Sequence, residues 1–107
     1  MKVIDCFIFY NELDMLKCRL YENYNIVDYF VLVESNKSFS NNPKQLIFEE
    51  NKNLFSDFLD KIIHIKVDDM PDGCDAWRRE YHQRDCIKRG LDKVPNLNYD
   101  DLILISD

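Results

Sequence analysis

Asp107 closes the run Asp100-Asp101-Leu102-Ile103-Leu104-Ile105-Ser106-Asp107, four consecutive aliphatic residues bounded by carboxylates. Such a run reads as a short strand buried on both faces, in the manner of a central parallel strand covered by helices. A carboxylate at the carboxyl end of such a strand faces the ligand crevice of an open α/β sheet, where it can hold a divalent cation against an anionic ligand. Glu34 ends an earlier apolar run and is placed for ribose hydroxyls or a base N–H, although a solvated strand end explains it equally well. Arg84 falls on the same helical face as Trp77, Ile87 and Leu91, with Glu80 beside it. Its planar fork there suits a diphosphate, and the plain alternative is an i,i+4 pair with Glu80.

The corner after the first apolar run is ambiguous in a different way. Asn11 with Asp14 three residues on forms an N-cap and N3 carboxylate, which accounts for both as capping. Read as a ligand corner, Glu12 and Asp14 in the first turn would repel phosphate, and the glycines of a dinucleotide or phosphate loop are missing. A neutral base or ribose is what this corner could hold.

The remaining titratable residues read as structure. Asp5, inside an apolar run, needs a hydrogen-bond donor at the sheet face. His64 has no partner at ligand spacing and reads as a satisfied sheet histidine. Asp68 and Asp69, paired at a strand end, could bind metal, but they precede a Met70-Pro71-Asp72-Gly73 turn, where acids are ordinary, and the ordinary reading is favoured. Cys6, Cys18, Cys74 and Cys86 contain no CxxC pair, and neither His64 nor His82 stands at a zinc-like interval from them, so the thiols are expected to be reduced and structural.

These residues must be positioned by alternating elements. Lys2 to Tyr10 reads as a buried first strand, and Leu13, Leu16 and Leu20 continue from Asn11 as an amphipathic helix to Tyr24. Asp28 to Ser35 is the second strand. Asn36 to Lys44 is a Ser/Asn-rich loop of a length that suggests a lid or binding loop. Leu54, Phe55, Phe58 and Leu59 share a side of a short helix over residues 51 to 59, and Lys61 to Val67 is the third strand. Asp75 to Leu91 reads as one helix, capped by Asp75 and closed near Gly90. A loop over residues 92 to 99 leads to the final strand. The β-α-β-α-β-α-β order predicts a Rossmann-like parallel half-sheet in the order 3-2-1-4 with helices on both faces.

At 107 residues the chain holds one domain. Two Gly and three Pro leave no room for a low-complexity linker. A formal charge of −6 without a basic stripe excludes a nucleic-acid backbone binder. No secretory leader or membrane-spanning run is legible, which sets a cytoplasmic expectation.

The blocks VIDCFIFYNELDMLKCRL (Val3 to Leu20), DYFVLVES (Asp28 to Ser35), PKQLIFEEN (Pro43 to Asn51), DKIIHIKVDDMPD (Asp60 to Asp72), WRREYHQRD (Trp77 to Asp85) and LILISD (Leu102 to Asp107), in this order, resemble glycosyltransferase family 17. The resemblance implies an inverting transferase of GT-A-like fold that takes a UDP-sugar donor, UDP-N-acetylglucosamine foremost, and a glycan acceptor. It also implies manganese or another divalent cation held by an Asp-x-Asp motif whose first Asp matches Asp107. Phe9, Asn11, Glu12 and Glu34 fall where such enzymes surround uridine, and Gln83 and Arg84 lie in the family's Trp-x-Arg-Glu…Gln-Arg block. The expected chain is thus the nucleotide-sugar-binding half of a longer domain, cut at the Asp-x-Asp motif, inactive alone, with its base further on. It is also expected to pair with a second copy through an exposed fourth strand. The rivals are an inactive fragment and a non-catalytic nucleotide-binding or flavodoxin-like module, the latter requiring acids at the end of strand one where Phe9-Tyr10 stand.

Overall fold

The computed structural model describes residues 1–37, 43, 45–69, 76–98 and 100–106. Four strands, β1 (Val3–Ile8), β2 (Tyr29–Ser35), β3 (Ile62–Val67) and β4 (Leu102–Ser106), form one sheet in the order β3-β2-β1-β4, as the element order predicts. All three pairings are parallel, with Ile4 opposite Tyr29, Phe30 opposite Ile62 and Val3 opposite Leu102.

Side-chain alternation divides the core between the two faces of the sheet. Phe7, Phe30 and Leu32 meet Leu16 and Leu20 of α1 (Leu13–Asn23) and Phe48 of α2 (Ile47–Glu50). On the other face Ile4, Cys6, Val31, Val33, Ile65 and Val67 meet Cys86, Ile87 and Val94, around α4 (Ile87–Leu91), which follows α3 (Ala76–Asp85). Helices therefore cover both faces, as a parallel sheet of continuous apolar strands requires.

Several local expectations are corrected. α1 starts at Leu13, and Glu12 at its N-cap makes no side-chain capping bond. The Asn11 cap fails because Phe9 N–H still bonds Val33 O at 2.8 Å, which holds the chain on the sheet and leaves too few residues to begin the helix at Asn11. The helix expected over residues 51 to 59 is instead α2 followed by 3₁₀ turns at Lys52–Phe55 and Leu59–Lys61, so Phe55 is buried while Leu54 and Leu59 are exposed. The tighter 3₁₀ winding does not keep the i,i+4 stripe on one side.

The helix expected over residues 75 to 91 breaks at Cys86, and Gly90 lies inside α4. A Cβ at Gly90 would stand 2.3 Å from Val31 Cγ1, so the glycine serves close helix–sheet approach and not termination. The expected cap at Asp75, the turn from Met70, Cys74 and Asp107 lie outside the described residues. Most of the expected loop over residues 36 to 44 does too; at its ends Lys37 and Pro43 form an antiparallel bridge.

β4 departs most from its sequence reading as a strand buried on both faces. Leu102, Ile103, Leu104 and Ile105 are 37–59% exposed, because among the described residues β4 pairs with β1 alone and stands at the sheet edge. The expectation of an exposed fourth strand is the one that holds.

Candidate functional site

The chain runs from β1 to β2 and β3 on one side, and returns through α3 and α4 to β4 on the other. The order of connection therefore reverses between β1 and β4, the place where open α/β sheets bind ligands. A cavity of about 850 Å³ opens there, on the α1 face, with Leu104 of β4 on one side and Leu16 and Arg19 of α1 on the other. Phe9, Tyr10, Asn11 and Glu12 line it at the carboxyl end of β1.

Its floor is an ion pair. Asp5, buried in the apolar run of β1, receives Arg19 Nε at 2.8 Å and Arg19 Nη2 at 2.5 Å, which satisfies the expectation of a donor at the sheet face. The guanidinium also lies over the Phe7 ring, 4.2 Å from its centroid. On the opposite side of β1, burial and then the neighbouring Asp5 push the Cys6 thiol up to about 12 against the pull of Arg19, so Cys6 is inert.

The residues expected around uridine do not share one surface. Asn11 and Glu12 are exposed at the rim, where neither is spent on capping α1. Phe9 is buried and sets its ring edge-on to Phe48, centroids 6.5 Å apart, so the rim takes shape from it while the ring faces inward. Glu34 is fully buried under α2, where Oε1 accepts Phe48 N–H and Oε2 accepts Glu49 N–H, each at 3.1 Å. His64 Nε2 lies 2.6 Å from the same Oε2. The carboxylate is engaged within the chain, capping α2 and holding His64 at Nε2. The expectation of a satisfied sheet histidine holds for that nitrogen alone, since the buried Nδ1 makes no hydrogen bond and lies 3.3 Å from Glu49 Oε2.

Gln83 and Arg84 stand on α3, across the sheet, and neither lines the cavity. Gln83 is buried, Arg84 half-buried, and Arg78 and Arg89 exposed, so Arg84 is the most inward of these three arginines, as its spacing predicts. Asp107 follows β4 directly in sequence, one residue after Ser106, which pairs with Phe7. Arg19 was missed from the sequence because its partner Asp5 lies on another element; the signal was the unpaired carboxylate in β1.

A parallel half-sheet with a cavity at its point of reversal and polar residues at the rim makes this an α/β chain of Rossmann-like topology. The profile of glycosyltransferase family 17 matches residues 1–107, and the chain belongs to that family. Over 111 residues, 99% of the chain, it is 30% identical to the beta-1,4-mannosyl-glycoprotein 4-beta-N-acetylglucosaminyltransferases of Rattus norvegicus and Homo sapiens, and 29% identical to that of Mus musculus. The chain spans 21% of the length of these relatives. No solved structure matches the chain, and among the described residues no helix is long and apolar enough to cross a membrane.

Proposed function

We propose that the chain is the nucleotide-sugar-binding half of a glycosyltransferase that moves N-acetylglucosamine from UDP-N-acetylglucosamine to a glycan acceptor with inversion. The family match across residues 1–107 carries this reading, and the cavity between β1 and β4 supports it as the donor's seat. Asn11 and Glu12 take the neutral uridine end, since their side chains are exposed at the rim. Phe9, buried, shapes the rim from beneath, Glu34 holds α2, and Gln83 stands buried on α3 across the sheet. The Asp107 carboxylate is the hard oxygen donor that manganese takes. A cation held there would supply charge neutralisation for the leaving diphosphate. Arg84, which the family resemblance sets near the diphosphate, stands on α3 across the sheet from this cavity and takes no part in this seat. The base for the acceptor hydroxyl is assigned to no residue of this chain.

Calorimetry with UDP and manganese tests the assignment. Weak binding that chelator or Asp107→Ala abolishes is expected, and Arg84→Ala, across the sheet from the cavity, should change it no more than Arg78→Ala does. UDP binding indifferent to chelator and to Asp107→Ala removes the metal role. A homodimer through the free edge of β4 belongs to the same proposal, because that edge is aliphatic and holds no charge within it. Sedimentation over a concentration series should show association that Ile103→Lys suppresses, and a chain monomeric throughout would rule it out.

A further inference from the structure

At the sheet edge opposite β4, three metal-ligating side chains converge. Asp69 follows β3, His82 stands in the last turn of α3, and Cys86 occupies the step between α3 and α4. The backbone bond from Cys86 N–H to His82 O, 3.1 Å, keeps that turn helical, so side chains four residues apart leave the same face. One ligand atom from each of the three lies within 4.8 Å of the others. A point within about 2.8 Å of all three therefore exists, and drawing in by roughly half an ångström reaches zinc bond lengths. The 3.2 Å between His82 Nε2 and Asp69 Oδ1 is already close to the edge, roughly 3.3 Å, of a tetrahedron with 2.0–2.1 Å bonds.

We propose that Asp69, His82 and Cys86 bind one borderline-soft divalent cation of the zinc class, with the fourth position left to water. A thiolate, an imidazole and a carboxylate together favour such an ion over magnesium or manganese. This donor set differs from the oxygen ligands proposed with Asp107, and the inference does not depend on the function proposed above. Binding exchanges the Cys86 S–H bond for a metal–thiolate bond, and the proton leaves to solvent.

Arg89 orients the carboxylate. Its Nη2 bonds Asp69 Oδ2 at 2.7 Å and its Nη1 reaches Oδ1 at 3.2 Å, so Oδ2 keeps the guanidinium while Oδ1 turns to the ion, as outer partners do at metal sites. The competing account is an Arg89–Asp69–His82 cluster with the Cys86 sulfur packed only as part of the apolar core. The sequence shows the His82–Cys86 interval of four on an expected helix, contrary to the reading that His82 has no zinc-like partner, but not Asp69, which arrives from another element.

The reduced protein is titrated with cobalt(II), then zinc. At one equivalent a thiolate-to-cobalt charge-transfer absorption is expected, which zinc displaces, with native mass spectrometry giving one ion per chain. His82→Gln, at a half-buried position, and Cys86→Ser should each weaken binding at least tenfold, and Cys18→Ser should leave it unchanged. Absence of the thiolate band in the parent, its survival in folded Cys86→Ser, or parental affinity in folded His82→Gln overturns the proposal.

Discussion

Glu34→Gln separates a scaffold carboxylate from a ligand-binding one. The substitution preserves shape but leaves one acceptor oxygen where two now serve Phe48 N–H and Glu49 N–H. Whichever way the amide turns, one N–H of α2 meets an NH₂, and His64 Nε2 loses a carboxylate at 2.6 Å. Accepting from the new amide would spare the histidine but not the orphaned N–H. The side chain is fully buried, so water offers no relief. Loss of one charge-assisted bond at such a site costs about 1.5–3 kcal/mol. Against a total stability of roughly 5–15 kcal/mol this is a large fraction, and Tm should fall by roughly 5–15 °C. Urea unfolding followed by far-UV circular dichroism should show a lower midpoint at unchanged slope. A variant as stable as the parent yet weaker for UDP would refute the reasoning and return Glu34 to the ligand.

Gly90→Ala should destabilise the protein by about 1 kcal/mol, because overpacking of roughly 1–3 kcal/mol against Val31 Cγ1 exceeds the helix-propensity gain of up to about 1 kcal/mol. Adding Val31→Ala should recover part of the clash; strict additivity in the double mutant would argue against it. Alkaline stability should depend on Cys6. Its folded thiol is raised to about 12 from an ordinary 9.0, so folding retains a proton that the unfolded chain releases. That contribution is complete below pH 9 and is lost as pH rises toward 12, at up to about 1.4 kcal/mol per pH unit. Cys6→Ala should flatten the decline over that window, and an identical slope would exclude the thiol.

The sheet was legible because its strands are short, nearly unbroken aliphatic runs, a pattern that only a two-sided core satisfies, and their spacing left room for one crossover each. The site was legible only in part. Asn11 and Glu12 were found by their place after β1, but Glu34 ends β2 by the same rule and turns inward, because the length of the connection lets α2 fold back and present its N–H groups. Sequence spacing sees neighbours along one element. The contacts Asp5–Arg19, Glu34–His64 and Asp69–Arg89 each join two elements, and each escaped it.

The register also carries an order of assembly. β1 meets β2 across 25 residues, Ile4 to Tyr29, and β2 meets β3 across 32, Phe30 to Ile62, whereas β1 meets β4 across 99, Val3 to Leu102. Closing the longest of these loops costs about 1.2 kcal/mol more than closing the shortest. Three strands with both local crossovers can therefore form a nucleus before β4 docks, and pulse-labelled hydrogen exchange should protect β2 amides ahead of those in β4. The wall of the cavity that Leu104 provides is then the last part laid down, and during synthesis the amino-terminal strand waits for its second neighbour until nearly all of these residues have left the ribosome.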